Sequence, residues 1–256
     1  MLRLKDKVAV ITGAGSGIGR ATAKKFAEEG ADVAILYTFE PEEAQKTGEM
    51  VRAAGRRALV LEADVRRRDQ VRAAVDKVAL AWGRLDVMVS NAGIYRATPF
   101  LEISDDEWDD VLATNLKGAF NCGQAAARAM ITAKSPGKIL LISSTQAFRP
   151  LIGTAHYGAS KSGMLALAKT MALELAPHHI GVVVINPGVS ESAGNVRKLA
   201  DPAVRSEVES QIPWGRVGQP AEVANLAVFL ASAEAEYITG CHVVIDGGLL
   251  VAGPQV

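Results

Sequence analysis

Short apolar runs recur along the chain, and most are followed by a longer segment in which apolar residues return every three or four positions. The runs are rich in Val, Ile and Leu, which is typical of buried strands. They cover residues 7–12, 31–37, 58–61, 85–90, 138–143, 181–186 and 242–245. The longer segments predict helices over residues 20–29, 41–54, 69–82, 104–128 (in two pieces), 157–176 and 221–230. Strands that alternate with helices form right-handed βαβ units, so the pattern predicts a parallel sheet with helices on both faces.

The alternation continues without an internal boundary. Glycine is spread along the chain, and we find no repeat, low-complexity tract or linker. We therefore expect one doubly wound α/β domain over residues 1–256. Residues 189–213 interrupt the pattern with a long polar stretch after the sixth strand, so we expect a substrate lid there.

A glycine-rich turn joins the first strand to the first helix. Its glycines are Gly13, Gly17 and Gly19, with Ser16 and Ile18 between them, which is not the Gly-x-Gly-x-x-Gly spacing. The physical requirements are nevertheless met: a tight exit from the strand, close approach of backbone to a pyrophosphate, and close packing of helix on sheet. The helix N-terminus adds free N–H groups and the positive end of its dipole. The turn thus predicts a dinucleotide site of the Rossmann type, with a plain turn as the alternative.

Charge and cysteine content exclude several classes of protein. Lys+Arg and Asp+Glu both number 28, so no basic field points to nucleic acid. The two cysteines, Cys122 and Cys241, lie far apart and form neither a disulfide framework nor a metal-binding spacing, so we expect no metal. No apolar run approaches the ~18 residues of a membrane span, and the N-terminus has no apolar signal core. We expect a soluble, cytoplasmic protein with no membrane partner.

One tyrosine is a candidate acid and base. Tyr157 and Lys161 are four residues apart, which on a helix places both side chains on one face. A free tyrosine has a pKa near ~10, and a neighbouring ammonium lowers it by favouring the phenolate. The strand at 138–143 ends in Ser143 and Ser144, whose hydroxyls could reach the same substrate oxygen. Taken alone, such a pair is more often a solvated helix face.

Three further polar positions follow predicted strands or interrupt a helix. Asp64 follows the third strand, where its carboxylate would accept from an adenine amino group or cap a turn. The stretch Asn91, Ala92 and Gly93 follows the fourth strand and would leave room for a ribose or form a tight turn. Asn115 lies in a helical pattern that disfavours asparagine, which indicates a polar site or a surface position.

Together these motifs resemble the short-chain dehydrogenase/reductase family over nearly the whole chain. The matching residues are Thr12 to Gly19, Asn91-Ala92-Gly93, Asn115, Ser144, Tyr157-x-x-x-Lys161 and Pro187-Gly188. The resemblance implies that Tyr157 is the general acid/base and that Lys161 lowers its pKa and holds the nicotinamide ribose. Ser144 would position the substrate oxygen, and Asn115 would support a water linking Lys161 to solvent. The resemblance also implies contacts of Pro187, Gly188 and Val189 with the nicotinamide and of Asp64 and Val65 with the adenine.

The cofactor implied is NAD or NADP. NAD-selective sites usually carry an acidic residue at the end of the second strand, where this chain has Tyr37 followed by Thr38. Neither residue has Arg or Lys beside it, and Ser16 stands where NADP-preferring members often carry a basic residue. We expect both cofactors to be used.

The substrate expected is a small alcohol or carbonyl compound. The lid and the C-terminal segment resemble those of bacterial sugar 1-dehydrogenases, which implies oxidation of an aldose at C1 to its lactone. Polar or aromatic residues at the expected rim are Tyr95, Gln146, His156, Ser192 and Asn195. The alternative is a 3-oxoacyl thioester reductase, and a non-catalytic nucleotide sensor is a third hypothesis that the intact Tyr157 and Lys161 disfavour. The resemblance further implies a homotetramer.

Overall fold

Seven parallel strands form one twisted sheet in the computed structural model, which describes residues 2–192, 195–196 and 198–252. The strands are β1 (Val8–Thr12), β2 (Asp32–Tyr37), β3 (Ala58–Glu62), β4 (Val87–Ser90), β5 (Gly137–Ile142), β6 (Ile180–Pro187) and β7 (Cys241–Ile245). Their spatial order is β3-β2-β1-β4-β5-β6-β7. The predicted doubly wound parallel sheet is therefore confirmed.

Eight α-helices lie within the described ranges, and six of them cover the two faces of this sheet. They are α1 (Gly17–Glu28), α2 (Pro41–Ala53), α3 (Arg68–Trp82), α4 (Asp105–Leu112), α5 (Gly118–Thr132), α6 (Ala155–Leu175), α7 (Pro202–Ser210) and α8 (Pro220–Ala231). Helices α3, α5 and α6 pack with alternate strand residues such as Val8 and Val10. Helices α1, α2 and α8 pack with the residues between them, such as Ala9 and Ile11. The five inner strands, β1, β2, β4, β5 and β6, are thus buried on both sides, which explains why they read as continuous apolar runs.

Strand order reverses between β1 and β4, and a set of hydrogen bonds joins the two strands there. The Thr12 hydroxyl accepts from the backbone N–H of both Asn91 and Ala92, each at 3.0 Å. The Asn91 amide donates in return to the carbonyls of Thr12 and Gly13, at 3.0 and 3.1 Å. In open α/β sheets ligands bind at such a reversal, at the carboxyl ends of the strands.

The helical segment predicted in two pieces is continuous but changes its geometry. Residues Ala113–Lys117 form a π-helical turn between α4 and α5. Single π turns inside α-helices often lie at functional sites. Asn115 lies in this turn and is only 1% exposed, so the surface interpretation of Asn115 is wrong.

The region predicted as a lid contains a helix that the sequence pattern did not reveal. Helix α7 begins after Asp201, whose carboxylate accepts from the backbone N–H of Ala203 at 2.8 Å. Beneath it, Leu199, Ile212 and Val217 form a small buried cluster separate from the two faces of the sheet. Residues 193, 194 and 197 of this region, and the chain ends 1 and 253–256, lie outside the described residues.

Gly19 shows how closely α1 approaches the turn that precedes it. A Cβ atom at Gly19 would overlap the Gly13 carbonyl oxygen and lie 2.6 Å from Nδ2 of Asn91. Gly19→Ala should therefore lower the free energy of unfolding by about 1–3 kcal/mol, despite a helix-propensity gain of about 1 kcal/mol.

Urea denaturation would measure this loss, with Gly15→Ala as a control in the same turn. A Cβ at Gly15 would meet its nearest atom, the Ala44 nitrogen, at an ordinary 3.5 Å. Equal stability of the two variants would contradict the close approach at Gly19.

Candidate functional site

Tyr157 and Lys161 lie one turn apart at the start of α6, which begins at Ala155. The Lys161 side chain is 4% exposed, and its ammonium lies 5.6 Å from the centroid of the Tyr157 ring. The ammonium donates to the Ile142 carbonyl oxygen at 2.9 Å, at the end of β5. The two residues therefore share a helix face that is turned toward the sheet, not toward solvent.

Ser144 follows β5 and reaches the same tyrosine. The Ser144 hydroxyl accepts from the Gln146 backbone N–H at 3.1 Å and lies close enough to the Tyr157 hydroxyl to oppose the rise of its pKa. Ser143 points elsewhere, because its hydroxyl donates to the Lys161 carbonyl oxygen at 3.0 Å. Of the two serines that end the strand, Ser144 alone is beside Tyr157.

Asn115 holds the loop that follows β4. Its Oδ1 accepts from the Ile94 N–H at 2.8 Å, and its Nδ2 donates to the Ile94 carbonyl at 3.0 Å and the Ser160 hydroxyl at 3.1 Å. A Cβ at Gly93 would lie 3.1 Å from Oδ1 of Asn115 and 3.5 Å from Nζ of Lys161. Gly93 thus lets the loop pass close to both residues.

Burial shifts the pKa values of the two ionisable groups in the direction of their neutral forms. It raises the pKa of Tyr157 to about 12, with the Ser144 hydrogen bond acting in the opposite direction. It lowers the pKa of Lys161 to about 8. The sequence predicted a lowered pKa for Tyr157. The structure reverses the direction because desolvation of the phenolate is the larger effect.

The glycine-rich turn fits the pyrophosphate of a dinucleotide. Gly13 and Gly17 have φ of 61° and 52°, so the chain turns there in the left-handed region. The N-cap residue of α1, Ser16, makes no side-chain cap bond to the first helical turn. The N–H groups of that turn therefore remain available to an anion at the positive end of the helix dipole. Ile18 is partly buried against the apolar layer below.

The residues expected near the adenosine are held by hydrogen bonds, ion pairs and packing contacts within the protein that the sequence did not predict. The Thr38 hydroxyl donates to the Ala63 carbonyl at 3.1 Å, while Tyr37 is partly buried against the core. The Asp64 carboxylate is engaged by the Arg66 guanidinium at 2.7 Å, and this contact lowers the pKa of Asp64. Val65 has its side chain in the core, so it presents only backbone to a ligand. The Oδ1 of Asp64 accepts from the Arg66 backbone N–H at 2.9 Å, so Asp64 performs the turn role that the sequence left open.

Pro187, Gly188 and Val189 lie at the carboxyl end of β6. The Gly188 N–H donates to the Ile245 carbonyl at 2.9 Å, and a Cβ there would lie 2.7 Å from the Asp246 Cβ. The Val189 carbonyl accepts from the Gly218 N–H at 2.9 Å, and its side chain packs on the lid cluster. This strand end thus connects the sheet to the lid.

The candidate substrate residues fall into two groups. Tyr95 is 47% exposed and places its ring edge-on to the Tyr157 ring, with centroids 5.1 Å apart. Gln146 has its Oε1 buried, with no hydrogen-bond partner among the described residues. His156, in contrast, is fully buried and bonded to Glu107 at 2.9 Å. His156 therefore does not face a substrate, and that expectation is corrected.

Ser192 and Asn195 belong to residues 189–213, the segment predicted as a lid, and their described contacts are internal to it. The Ser192 N–H donates to the Ser190 carbonyl at 2.7 Å, and the Asn195 amide donates to the same carbonyl at 3.1 Å. Beside them, Glu191 bonds Arg205 of α7 at 2.6 Å. The latter contact ties α7 to the end of β6.

The sequence did not reveal the partners that orient this site. The Ile142 carbonyl, the Ser160 hydroxyl and the Glu107 carboxylate are each far in sequence from the group they contact. The described part of the chain contains no cluster of His, Cys, Asp and Glu suited to a metal ion. None of its helices is long and apolar enough to cross a membrane.

The lowered pKa of Lys161 makes stability depend on pH. Between pH values of about 8 and 10.5, the unfolded chain holds more protons on this group than the folded chain does. The contribution of Lys161 to the free energy of unfolding therefore rises with pH through this window, by up to roughly 3 kcal/mol. Burial raises the pKa of the Cys122 thiol to about 12, and this group acts in the opposite sense above a pH of about 9. Urea denaturation at several pH values should therefore show the rise as a difference between the native protein and Lys161→Met, in which Cys122 is unchanged. Parallel curves for the two proteins would contradict it.

Known proteins resemble this chain over nearly its whole length. A family model described as Enoyl-(Acyl carrier protein) reductase matches residues 13–250. The 2-dehydro-3-deoxy-D-gluconate 5-dehydrogenase of Escherichia coli (strain K12) is 39% identical over 247 residues, 96% of this chain and 96% of that protein. A 3-oxoacyl-[acyl-carrier-protein] reductase of Staphylococcus aureus (strain Mu50) is 39% identical over 243 residues, 95% of this chain and 98% of that protein.

Solved structures of similar proteins also match this chain over nearly its whole length. A short-chain type dehydrogenase/reductase from Mycobacterium marinum has a TM-score of 0.89 at 36% identity, covering 97% of each chain. A protein from Agrobacterium tumefaciens with bound NADP has a TM-score of 0.88 at 34% identity, covering 98% of each chain. With the family model matched over residues 13–250 and relatives of this identity, the chain belongs to the short-chain dehydrogenase/reductase family, whose members are NAD(P)-dependent oxidoreductases of CH–OH groups.

Proposed function

We propose that the protein oxidises a hydroxyl group of a polyhydroxylated sugar. The first candidate is the hydroxyl group at C1 of an aldose, whose oxidation gives the lactone. The observation that carries the chemistry is the cluster of Ser144, Tyr157 and Lys161 beside the half-exposed ring of Tyr95. Gln146 supports the polar substrate, because its buried Oε1 is an acceptor with no partner among the described residues. Hydrogen-bonding sites of this kind discriminate strongly between hydroxyl patterns.

Tyr157 transfers the proton. In oxidation its phenolate removes the proton of the substrate hydroxyl, and in reduction the neutral phenol donates one to the substrate oxygen. Burial raises the pKa of Tyr157 to about 12, so the phenol is protonated in this state of the site, which is the form that donates in reduction. Lys161, as an ammonium, favours the phenolate when oxidation requires it. Ser144 orients the substrate oxygen through its hydroxyl, and Asn115 keeps the Gly93–Ile94 loop against Lys161.

A nicotinamide dinucleotide, when bound, accepts or supplies the hydride. The first turn of α1, after Gly13, Ser16 and Gly17, holds the pyrophosphate by its backbone N–H groups. Lys161 binds the nicotinamide ribose. The further residues proposed to line the cofactor are Ile18, Gly19, Tyr37, Thr38, Asp64, Val65, Asn91, Ala92, Gly93, Pro187, Gly188 and Val189.

The second candidate is reduction of a 3-oxoacyl thioester. It is favoured by the reductase of Staphylococcus aureus, which is as similar to this chain, at 39% identity, as the gluconate-type dehydrogenase of Escherichia coli. The exposed aromatic rings of Tyr95 and Phe148 suit such an apolar substrate. The polar lid residues Ser192 and Asn195 favour the sugar.

We also propose that the protein is a cytoplasmic homotetramer whose residues 189–213 act as a substrate lid over a single domain of residues 1–256. The small residues Ala125 and Ala126 of α5 and Ala168 of α6 could pack closely against another subunit, but they are buried within the chain itself. The tetramer therefore rests on family membership alone, and light scattering after gel filtration tests it.

A substrate panel separates the two candidates. We expect reduced nicotinamide to form with one or more aldoses or sugar acids, measured by its absorbance with NAD and with NADP. Turnover of an acetoacetyl thioester alone would replace the sugar assignment by the reductase.

Tyr157→Phe tests the proton transfer in the same assay. The variant lacks the hydroxyl but keeps the ring, so kcat should fall by a factor of about 10²–10⁴. NADH binding, measured by fluorescence, should be retained, which separates loss of chemistry from loss of fold. Wild-type turnover by Tyr157→Phe would overturn the mechanism.

We expect the wild-type protein to bind NADH and NADPH with dissociation constants within about tenfold, or about 1.4 kcal/mol. The physical reason is that the end of β2 offers Tyr37 and Thr38, neither a carboxylate nor a cation. Ser16→Arg should tighten NADPH binding by about tenfold through a charge-assisted hydrogen bond, while NADH binding changes little. A wild-type preference above a hundredfold would contradict dual use.

A further inference from the structure

A hydrogen-bonded cluster of Thr98, Glu107 and His156 lies next to Tyr157 and has no part in the chemistry described above. His156 is completely buried, and its Nε2 lies 2.9 Å from Oε1 of Glu107. The same Oε1 accepts from the Thr98 hydroxyl at 2.6 Å. One carboxylate oxygen thus joins three segments: the loop after β4, helix α4, and the first turn of α6.

The second ring nitrogen of His156 shows which tautomer the cluster requires. Nδ1 is buried and has no hydrogen-bond partner among the described residues. A proton on Nδ1 would be a buried donor without an acceptor, which is costly, whereas a proton on Nε2 meets the Glu107 carboxylate. We assign the proton to Nε2 on this ground. The Thr98 and His156 hydrogen bonds, with the Arg96 charge, lower the pKa of Glu107, so this carboxylate remains an acceptor.

The cluster holds the two aromatic rings of the site through their neighbours in sequence. His156 immediately precedes Tyr157, and Thr98 is three residues after Tyr95, whose ring contacts Tyr157 edge-on at 5.1 Å. The Thr98 backbone N–H also donates to the Gly153 carbonyl at 2.9 Å, just before α6. The Tyr95 loop and the Tyr157 turn are therefore tied at two points.

We propose that Glu107 and His156 are positioning residues that fix Tyr157 and Tyr95 relative to each other. This proposal rests on the proposed role of Tyr157 as acid and base. Neither Glu107 nor His156 touches the substrate; they act by keeping the phenol where proton transfer can occur. A misplacement of about 1 Å at a reacting group costs up to about 10²-fold in rate.

The test compares variants that keep the hydrogen bond with variants that remove it. His156→Gln places an amide N–H near the position of Nε2, and Glu107→Gln keeps a carbonyl oxygen that accepts from both partners. His156→Leu and Glu107→Leu have similar size and no hydrogen bond. We expect kcat to fall about tenfold or more in the Leu variants and to stay within about threefold in the Gln variants, with the KM of the substrate and NADH binding little changed. The double Leu variant should be no worse than the Glu107→Leu single variant, because that change already removes the hydrogen bonds to both Thr98 and His156.

A second measurement does not depend on turnover. Near-ultraviolet circular dichroism reports the surroundings of tyrosine rings, so the spectrum should change in the Leu variants and not in the Gln variants. Wild-type kcat in the Leu variants would overturn the proposal, as would Gln variants as impaired as the Leu variants. If thermal stability and NADH binding fall in parallel with activity and account for its loss, the cluster has a structural role only, and the proposal is overturned.

Tyr157→Phe, assayed alongside, separates this proposal from the proposed function. An inactive Tyr157→Phe together with fully active Leu variants would overturn the positioning pair alone. Turnover by Tyr157→Phe would overturn the role of Tyr157 and the positioning role with it.

Discussion

The hydrogen bonds between Thr12 and the Asn91–Ala92 turn hold β1 and β4 together where the order of the strands reverses. Parallel strands all end at one edge of the sheet, so this junction determines where the glycine-rich turn, the loop before α4 and the end of β5 meet. The Nδ2 of Asn91 donates to the carbonyls of both Thr12 and Gly13. Its small neighbours Ala92 and Gly93 then let the loop pass close to Asn115 and Lys161.

Two ionisable groups, one acidic and one basic, are buried at this junction. Separation from water disfavours both the Tyr157 phenolate and the Lys161 ammonium, so the two pKa values move apart, to about 12 for Tyr157 and about 8 for Lys161. The ammonium is satisfied by the Ile142 carbonyl and not by a carboxylate. A carboxylate there would neutralise the positive field that oxidation needs. The site therefore keeps a charge that is costly to bury and available to the tyrosine.

Much of this architecture could be predicted because the signals are local in sequence. The strands are apolar runs, the phosphate turn is a single glycine-rich stretch, and Tyr157 and Lys161 are neighbours on one helix. Contacts across the fold could not be predicted: Glu107 and His156 are 49 positions apart, and nothing near either residue indicates the other. The pKa of Tyr157 was predicted in the wrong direction, since its burial depends on how distant segments pack. Helix α7 was missed because it buries no residue, although Asp201 and Pro202 are readable start signals.

The π-helical turn at Ala113–Lys117 determines how far α5 is rotated about the common helix axis relative to α4. Helix α4 packs on α6, whereas α5 packs on α3 and the sheet, and the turn connects them as one continuous rod. Each residue of an α-helix advances the chain by about 100°. Removing one residue from the turn would restore regular α-helix but rotate one half against the other by about that angle. Either Glu107 would lose its contact with His156, or the apolar face of α5 would turn away from the sheet. The number of residues in this turn is therefore constrained as tightly as their identity.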